Sequence, residues 1–197
     1  MTGAEMSGIQ FHLASASPRR QELLRQLGLR FDVCPADIVE LPQPAETAAD
    51  YAQRMALEKA CVAQEKIGAS LPVLGADTDV VLDGRILGKP RDRADALQML
   101  AALSDREHEV YSAVAMVQGA RAEVLLSVTR VCFGLITADA AAHYWDSGEP
   151  ADKAGAYGIQ GLGAQFVKGI NGSYSGVVGL PLFETTELLL RFGIHTL

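Results

Sequence analysis

Four basic side chains and two carboxylates carry the chemistry that this chain could do. Arg19 and Arg20 lie in the stretch "LASASPRRQELLRQLG", residues 13–28. Ser17 suits a helix cap, Pro18 the first helical position and Gly28 the stop, while Leu23, Leu24 and Leu27 give the helix an apolar stripe. Both arginines therefore fall in the first turn, where unpaired N–H groups and the helix dipole are already positive. Stability alone favours Asp or Glu there. An anion, above all a phosphate, is what such an end would hold, because arginine adds forked, charge-assisted bonds to oxygen. The plainer alternative is that both arginines fan into solvent. On this reading Arg20→Glu relieves repulsion in the empty protein and leaves its stability unchanged or slightly raised.

The carboxylates are Asp77 and Asp79, in "GADTDVV" (75–81), a run otherwise fit for a buried strand. Carboxylates are rarely buried without a partner or a metal. Residues two apart on a strand share a face, so the pair could hold one hard cation; alternatively one caps a bulge, or Asp79 faces water. Lys59 interrupts an apolar stripe of Ala52, Met55 and Val62, either as a ligand-binding cation or as a snorkelling side chain. Lys89, between Gly88 and Pro90, reads as a ligand contact or as an ordinary loop lysine. With the arginines, these would give four cations in a chain of net charge -7.

The elements that must position these groups alternate. "IQFHLAS" (9–15) reads as a strand entering the arginine helix, and "FDVCPADIVE" (31–40) as a strand that breaks near Pro35. Thr47 and Asp50 form a capping box for a helix reaching about Gly68. In "LPVLGADTDVVLDGRILGKP" (71–90), Asp83-Gly84 predicts a hairpin with a short return strand. Asp92 and Asp95 open the next helix. "HEVYSAVAMV" and "EVLLSVTRVCFG" pair across a turn near Gly119, and Thr137 starts a short helix ending at Gly148. Nine of the 19 glycines fall between Gly148 and Gly179, consistent with backbone approaching a ligand closely. Asn171-Gly172 predicts another hairpin, and Pro181 opens the final helix. The fold class is α/β, a mixed twisted sheet flanked by helices, with two lobes around a cleft, all within one domain spanning 1–197.

Composition excludes several classes. The chain has 197 residues, 49% hydrophobic and 21% charged, enough for a sizeable core. Its acidity argues against a nucleic-acid partner. Three scattered cysteines, Cys34, Cys61 and Cys132, suit reduced thiols in a cytoplasm more than a disulfide framework. "MTGAEMSGIQF" lacks signal-peptide order, and no apolar run reaches membrane-spanning length. "GIQGLG" (158–163) fails the dinucleotide pattern, "GSYSG" (172–176) lacks the nucleophile serine, and the four histidines show no metal-pair spacing.

The motifs "LASASPRRQELLRQLG", "GADTDVVLDGRILGKP", "LSDREHEVYSAV", "DKAGAYGIQG" and "INGSYSGVVGLPL", in that order from about Ile9 to Phe192, resemble those of the Maf family. The resemblance implies cytoplasmic nucleoside triphosphate pyrophosphatases, similar in fold to the inosine triphosphate pyrophosphatases. Such enzymes release pyrophosphate by cleaving between the α and β phosphates. They need a divalent metal, Mg²⁺ or Mn²⁺, and are often homodimers. The family was also named for an effect on septum formation. By the same resemblance Asp77 is the proton acceptor, and Arg20, Thr78 and Gln160 are specificity positions. Ser15, Arg19, Glu40, Lys59 and Lys89 match further polar positions of the pocket, with Glu40 and Asp77 as metal contacts and Asp79 a further candidate. "SPRR", Thr78 and Gln160 resemble the branch acting on dTTP and UTP rather than on 7-methyl-GTP. There are three departures: Asp79 in place of an apolar residue, Asp105 in place of a common glycine, and Ser112 in place of threonine.

Two expectations follow. On a regular strand Thr78 faces away from Asp77, so a bend or strand end is expected there. The Gln160 amide can donate to a carbonyl and accept from the ring N–H of uracil or thymine, a pattern that cytosine reverses. Two other classes fit parts of the sequence. "DTDVV" also fits the nucleophile motif of haloacid-dehalogenase-type phosphatases, with Asp77 as nucleophile, although no paired acidic motif follows. A non-catalytic, nucleotide-sensing regulator of cell division would bind without turnover.

Overall fold

The computed structural model describes residues 8–68 and 70–196; the signal-peptide reading of Met1–Ser7 lies outside them. Strand β1 (Phe11–Leu13) leads into helix α1 (Pro18–Gln26), then β2 (Phe31–Val33), α2 (Ala48–Ile67), β3 (Val73–Leu82) and β4 (Arg85–Leu87). Helix α3 (Arg93–Leu103), β5 (Glu107–Gln118), β6 (Arg121–Phe133) and α4 (Ala138–Asp146) follow. Three single-turn helices between Glu149 and Phe166 lead to β7 (Val167–Asn171), α5 (Tyr174–Val178) and α6 (Leu182–Arg191). The caps are those the sequence indicates: Ser17, Thr47, Asp92 and Thr137 each accept from the backbone N–H three residues on.

The strands form one mixed sheet in the order β2-β1-β3-β5-β6-β7, with β4 paired to β3. One face of β3 (Leu74, Ala76, Val80, Leu82) joins the main core with Leu23 and Leu24 of α1, Leu100 of α3, Tyr144 of α4 and Leu188 of α6. Helix α2 covers the other face, setting Ala52, Ala56, Ala60 and Ala63 against Val73, Ala113 and Ala115. That packing is close because position 75 is glycine: a Cβ there would lie 2.1 Å from the Ala56 carbonyl oxygen.

Two expectations are corrected. Asn171-Gly172 makes no hairpin. The chain passes from β7 into α5, because Ser173 caps that helix by accepting from the Gly176 N–H and so gives the backbone a helical continuation. Nor does β3 bend at Thr78; it pairs with β5 in unbroken register from Val73 to Val81. The opposite edge of β3 is interrupted instead. Strand β1 pairs only with Val73 and Leu74, and β4 only with Val80 to Leu82. Residues 75–79 therefore face a notch in the sheet, and side chains from both faces of β3 reach the same opening.

Candidate active site

The notch opens into a cavity of about 760 Å³ lined by Ser15, Arg19, Arg20, Glu40, Lys59, Asp77, Thr78, Lys89 and Gln160, among others. These are all the sequence-derived candidates except Asp79. On the α2 side, Gly75 lets the helix backbone approach β3 and so delivers Lys59 to Asp77. Lys59 Nζ donates to Asp77 Oδ1 at 2.6 Å and pairs with Glu40 Oε1 at 2.8 Å. Lys59 and Asp77 are buried, and the Glu40 side chain is half exposed. Lys59 is thus an internal cation, not a snorkelling surface group. Val62, placed on its stripe from the sequence, is only partly buried.

Asp79 lies on the same face of β3 and is buried, and its Oδ2 has no partner among the described residues. Burial first, and then the charge of Asp77, hold its pKa well above the usual carboxylate range, with Lys59 opposing. Burial and Asp77 both favour the protonated form of Asp79, which lies outside the cavity wall.

The other face of β3 builds a different wall. Arg20 Nε donates to the Gly179 carbonyl at 2.8 Å, and its terminal nitrogens donate to Ser15 Oγ at 3.2 Å and Thr78 Oγ1 at 3.4 Å. Thr78 Oγ1 lies 2.9 Å from Ser112 Oγ, which donates to the Gly176 carbonyl at 2.6 Å. Thr78 Oγ1 also reaches the Gly179 carbonyl at 3.2 Å, so Arg20, Thr78 and Ser112 all bond to carbonyls of the α5 turn. The protein packed around the guanidinium lowers the Arg20 pKa, and Asp77 works against that shift. The sequence singled out Arg20 as a residue waiting for an anion, but much of its donor capacity is already spent inside the protein. Arg19 and the exposed Lys89 have no hydrogen bond or ion pair among the described residues and remain free for an anion.

Three further residues of the site were given no role from the sequence. Ser112, noted there only as a departure from threonine, is buried. Lys153, inside "DKAGAYGIQG", lines the cavity beside Asp152, to which it is hydrogen-bonded. Glu149 also lines the cavity, and the glycine-rich loop closes on it: a Cβ at Gly161 would lie 2.2 Å from Glu149 Oε2.

Comparison with known proteins decides the family. The family model described as Maf-like protein matches residues 10–192. The chain belongs to the Maf family. It is 53% identical over 193 residues to a dTTP/UTP pyrophosphatase of Bordetella avium, covering 94% of this chain and 96% of that one. A dTTP/UTP pyrophosphatase of Photobacterium profundum is 49% identical over 193 residues, covering 95% and 98%. Among solved structures, a nucleoside-triphosphatase, or dITP/XTP pyrophosphatase, of Mycobacterium abscessus is 17% identical with a TM-score of 0.49, covering 92% of this chain and 93% of that one. A HAM1 protein of Coxiella burnetii is 25% identical with a TM-score of 0.44, covering 64% and 73%. Membership over nearly the whole length leaves the likeness of "DTDVV" to phosphatase nucleophile motifs without support. No helix among the described residues is long and apolar enough to cross a membrane.

Proposed function

We propose that this protein hydrolyses dTTP and UTP to the monophosphates and pyrophosphate. The observation that carries the proposal is the Asp77–Lys59–Glu40 cluster, which faces the free cations Arg19 and Lys89 and the unbonded amide of Gln160 across one cavity. The relatives named dTTP/UTP pyrophosphatase support the same reading. Arg19, Lys89 and the start of α1 hold the phosphates by charge. Lys59 donates to Asp77 Oδ1 and holds the carboxylate in place to take a proton from water. The water oxygen bonds to the α phosphorus as the bond to the bridging oxygen breaks, and pyrophosphate leaves.

A divalent metal of the hard, oxygen-seeking kind would take carboxylate oxygens, and Asp77 and Glu40 are the pair available to it. Asp77 and Glu40 already share one cation, Lys59. No group of three or more His, Cys, Asp or Glu side chains that could hold a metal occurs among the described residues. Mg²⁺ or Mn²⁺, which complete their shell with phosphate oxygens and water, would be the ions for the two carboxylates Asp77 and Glu40. Held by Asp77 and Glu40, the ion would offset phosphate charge and make the water more acidic.

Gln160 is exposed on the cavity wall, and its amide has no internal hydrogen bond among the described residues. It can pair with the carbonyl and N–H edge that uracil and thymine share, while Thr78, held by Arg20 and Ser112, shapes the wall formed by the other face of β3. The test is Asp77→Asn assayed over a nucleotide panel with product analysis. Turnover should fall by about 10²–10⁴-fold, the worth of a general base, while a non-hydrolysable nucleotide still raises the melting temperature. Near-normal turnover, or orthophosphate as the first product of the wild type, would overturn the proposal.

A further inference from the structure

The loop that carries Gln160 is built around a carboxylate of the protein itself. Glu149 Oε2 accepts from the Leu162 N–H at 2.8 Å, and Oε1 accepts from the Gly163 N–H at 3.0 Å and from the Tyr144 hydroxyl at 2.7 Å. Tyr144 Oη in turn accepts from the Gly158 N–H at 3.0 Å. Both flanks of Gln160 are thereby tied to one carboxyl group, Gly158 through Tyr144 and residues 162–163 directly. The glycines of "GIQGLG" make this closure sterically feasible. A Cβ at Gly161 would collide with Glu149, and one at Gly163 would lie 2.6 Å from Tyr144 Oη and 2.7 Å from the Gly158 carbonyl oxygen. Backbone N–H groups converging on an anion form a nest; this one holds an internal anion and leaves the neighbouring Gln160 amide free toward the cavity. Burial acts to raise the Glu149 pKa, but the hydrogen bonds from Tyr144, Gly163 and Leu162 outweigh it and hold the group below the usual carboxylate range. The acceptor is therefore charged, which strengthens each of its bonds.

We propose that Glu149 is a positioning residue for pyrimidine recognition: its carboxylate fixes the loop that presents Gln160, and through that loop the choice between uracil and cytosine. The inference rests on the reading of Gln160 given above. A base-reading amide discriminates only if its donor and acceptor stay in register with the ring, because the penalty for a mismatched base comes from buried groups left unpaired. The Glu149 oxygens are already engaged by Tyr144, Leu162 and Gly163, so loss of the side chain should leave the chemical step intact.

The test compares the wild type with Gln160→Ala, Glu149→Gln and Glu149→Ala by steady-state kinetics on UTP and CTP, with the melting temperature of each empty protein measured in parallel. Glu149→Gln keeps size and shape but turns one acceptor into a donor, which then meets a backbone N–H, so it remains informative if the alanine variant does not fold. The ratio of kcat/KM for UTP over CTP should fall by about 10- to 100-fold in Glu149→Gln, the scale on which displacing a positioned group by about an ångström acts. The fall should come mainly through KM for UTP, with kcat within about twofold of the wild type. If Gln160→Ala loses the preference and Glu149→Gln keeps it, the positioning role of Glu149 is overturned and the reading of Gln160 stands. If Gln160→Ala keeps the preference, both fall. A drop in kcat on UTP and CTP alike, with the ratio unchanged, would mark Glu149 as a general structural brace and also overturn the proposal.

Discussion

Replacing Arg20 separates what the sequence suggests from what the packing demands. From the sequence, Arg20→Glu removes a cation from the positive end of α1, a change worth about 0.3–1 kcal/mol in favour of the empty fold. In the structure the same side chain bonds the Gly179 carbonyl, Ser15 and Thr78, tying the β1–α1 turn, β3 and the end of α5 together. A hydrogen bond from a charged donor contributes about 1.5–3 kcal/mol. Arg20 is half-buried and two of its three bonds are 3.2 Å or longer, so solvent recovers much of that sum. A net loss of about 2–4 kcal/mol remains, several times the dipole relief. For a chain of this size it lowers the melting temperature by about 5–15 °C. Glutamate should do worse than alanine, because it brings a carboxylate up to the Gly179 carbonyl and toward Asp77. The assay is thermal unfolding of ligand-free Arg20→Ala and Arg20→Glu, with Arg19→Ala as comparison. Arg19 has no partner among the described residues, and its loss should shift stability by no more than about 0.5 kcal/mol. If Arg20→Ala melts within about 2 °C of the wild type, the bonds of Arg20 contribute nothing to stability and the reasoning fails.

Two pH effects follow from buried groups. Asp79 has a folded pKa raised above its unfolded value by burial and by Asp77, so the native state loses stability as pH rises above the ordinary carboxylate range. Metal-free Asp79→Asn should therefore melt with the wild type near pH 4 and above it at pH 8, by about 1–3 kcal/mol; equal melting at pH 8 would contradict this. His108, 2% exposed and bonded through Nε2 to Tyr157, has its pKa pushed down to about 4 by burial. Below about pH 6.5 the unfolded chain takes a proton that the native state refuses, so stability falls between there and pH 4, by about 3 kcal/mol in all. His108→Gln should flatten the melting profile in that window, and a slope as steep as that of the wild type would assign the acid sensitivity elsewhere.

Most of the local structure was legible in the sequence because it is set by short-range chemistry. Ser17, Thr47, Asp92 and Thr137 cap helices through contacts three residues away, and Asp83-Gly84 turns a hairpin with φ of 50° and 75°. What failed had two causes, a competing local signal and a long-range contact. Asn171-Gly172 is a good hairpin pair, but the next residue caps a helix, and that local competitor decides the chain path. The anchoring of Gln160 was invisible because Glu149 reaches backbone N–H groups 13 and 14 residues away, which no side-chain pattern reports. Two departures from the family pattern acquire reasons. Asp105 sits at φ 53°, a conformation suited to glycine and tolerated by aspartate, and its carboxylate pairs with Lys168 at 2.9 Å. Ser112 keeps the hydroxyl that threonine would supply, and that hydroxyl is the part the Arg20–Thr78 wall uses.

The notch in the sheet explains how adjacent residues can serve one substrate while facing opposite ways. A continuous neighbour along β3 would seal Asp77 and Thr78 into separate compartments, one under α2 and one in the main core. Two short sequences prevent this. On one side, "SASP" ends β1 after the last ladder bond, from Ala14 N–H to the Leu74 carbonyl, and sends the chain into α1 at Pro18. On the other, the tight Asp83-Gly84 turn fixes the register of β4, and the Gly88 carbonyl then bonds the Gly155 N–H instead of extending the ladder. The five residues left between, Gly75 to Asp79, have no ladder partner on that edge, and Asp77 and Thr78 from the two faces of β3 both line the cavity. The same segments that open the edge supply Ser15, Arg19 and Arg20 from one side and Lys89 from the other. The cations at the cavity mouth are therefore not an addition to the fold: they sit on the two chain reversals that interrupt the sheet, and a sequence able to open this notch already carries the positions from which a polyanion can be held.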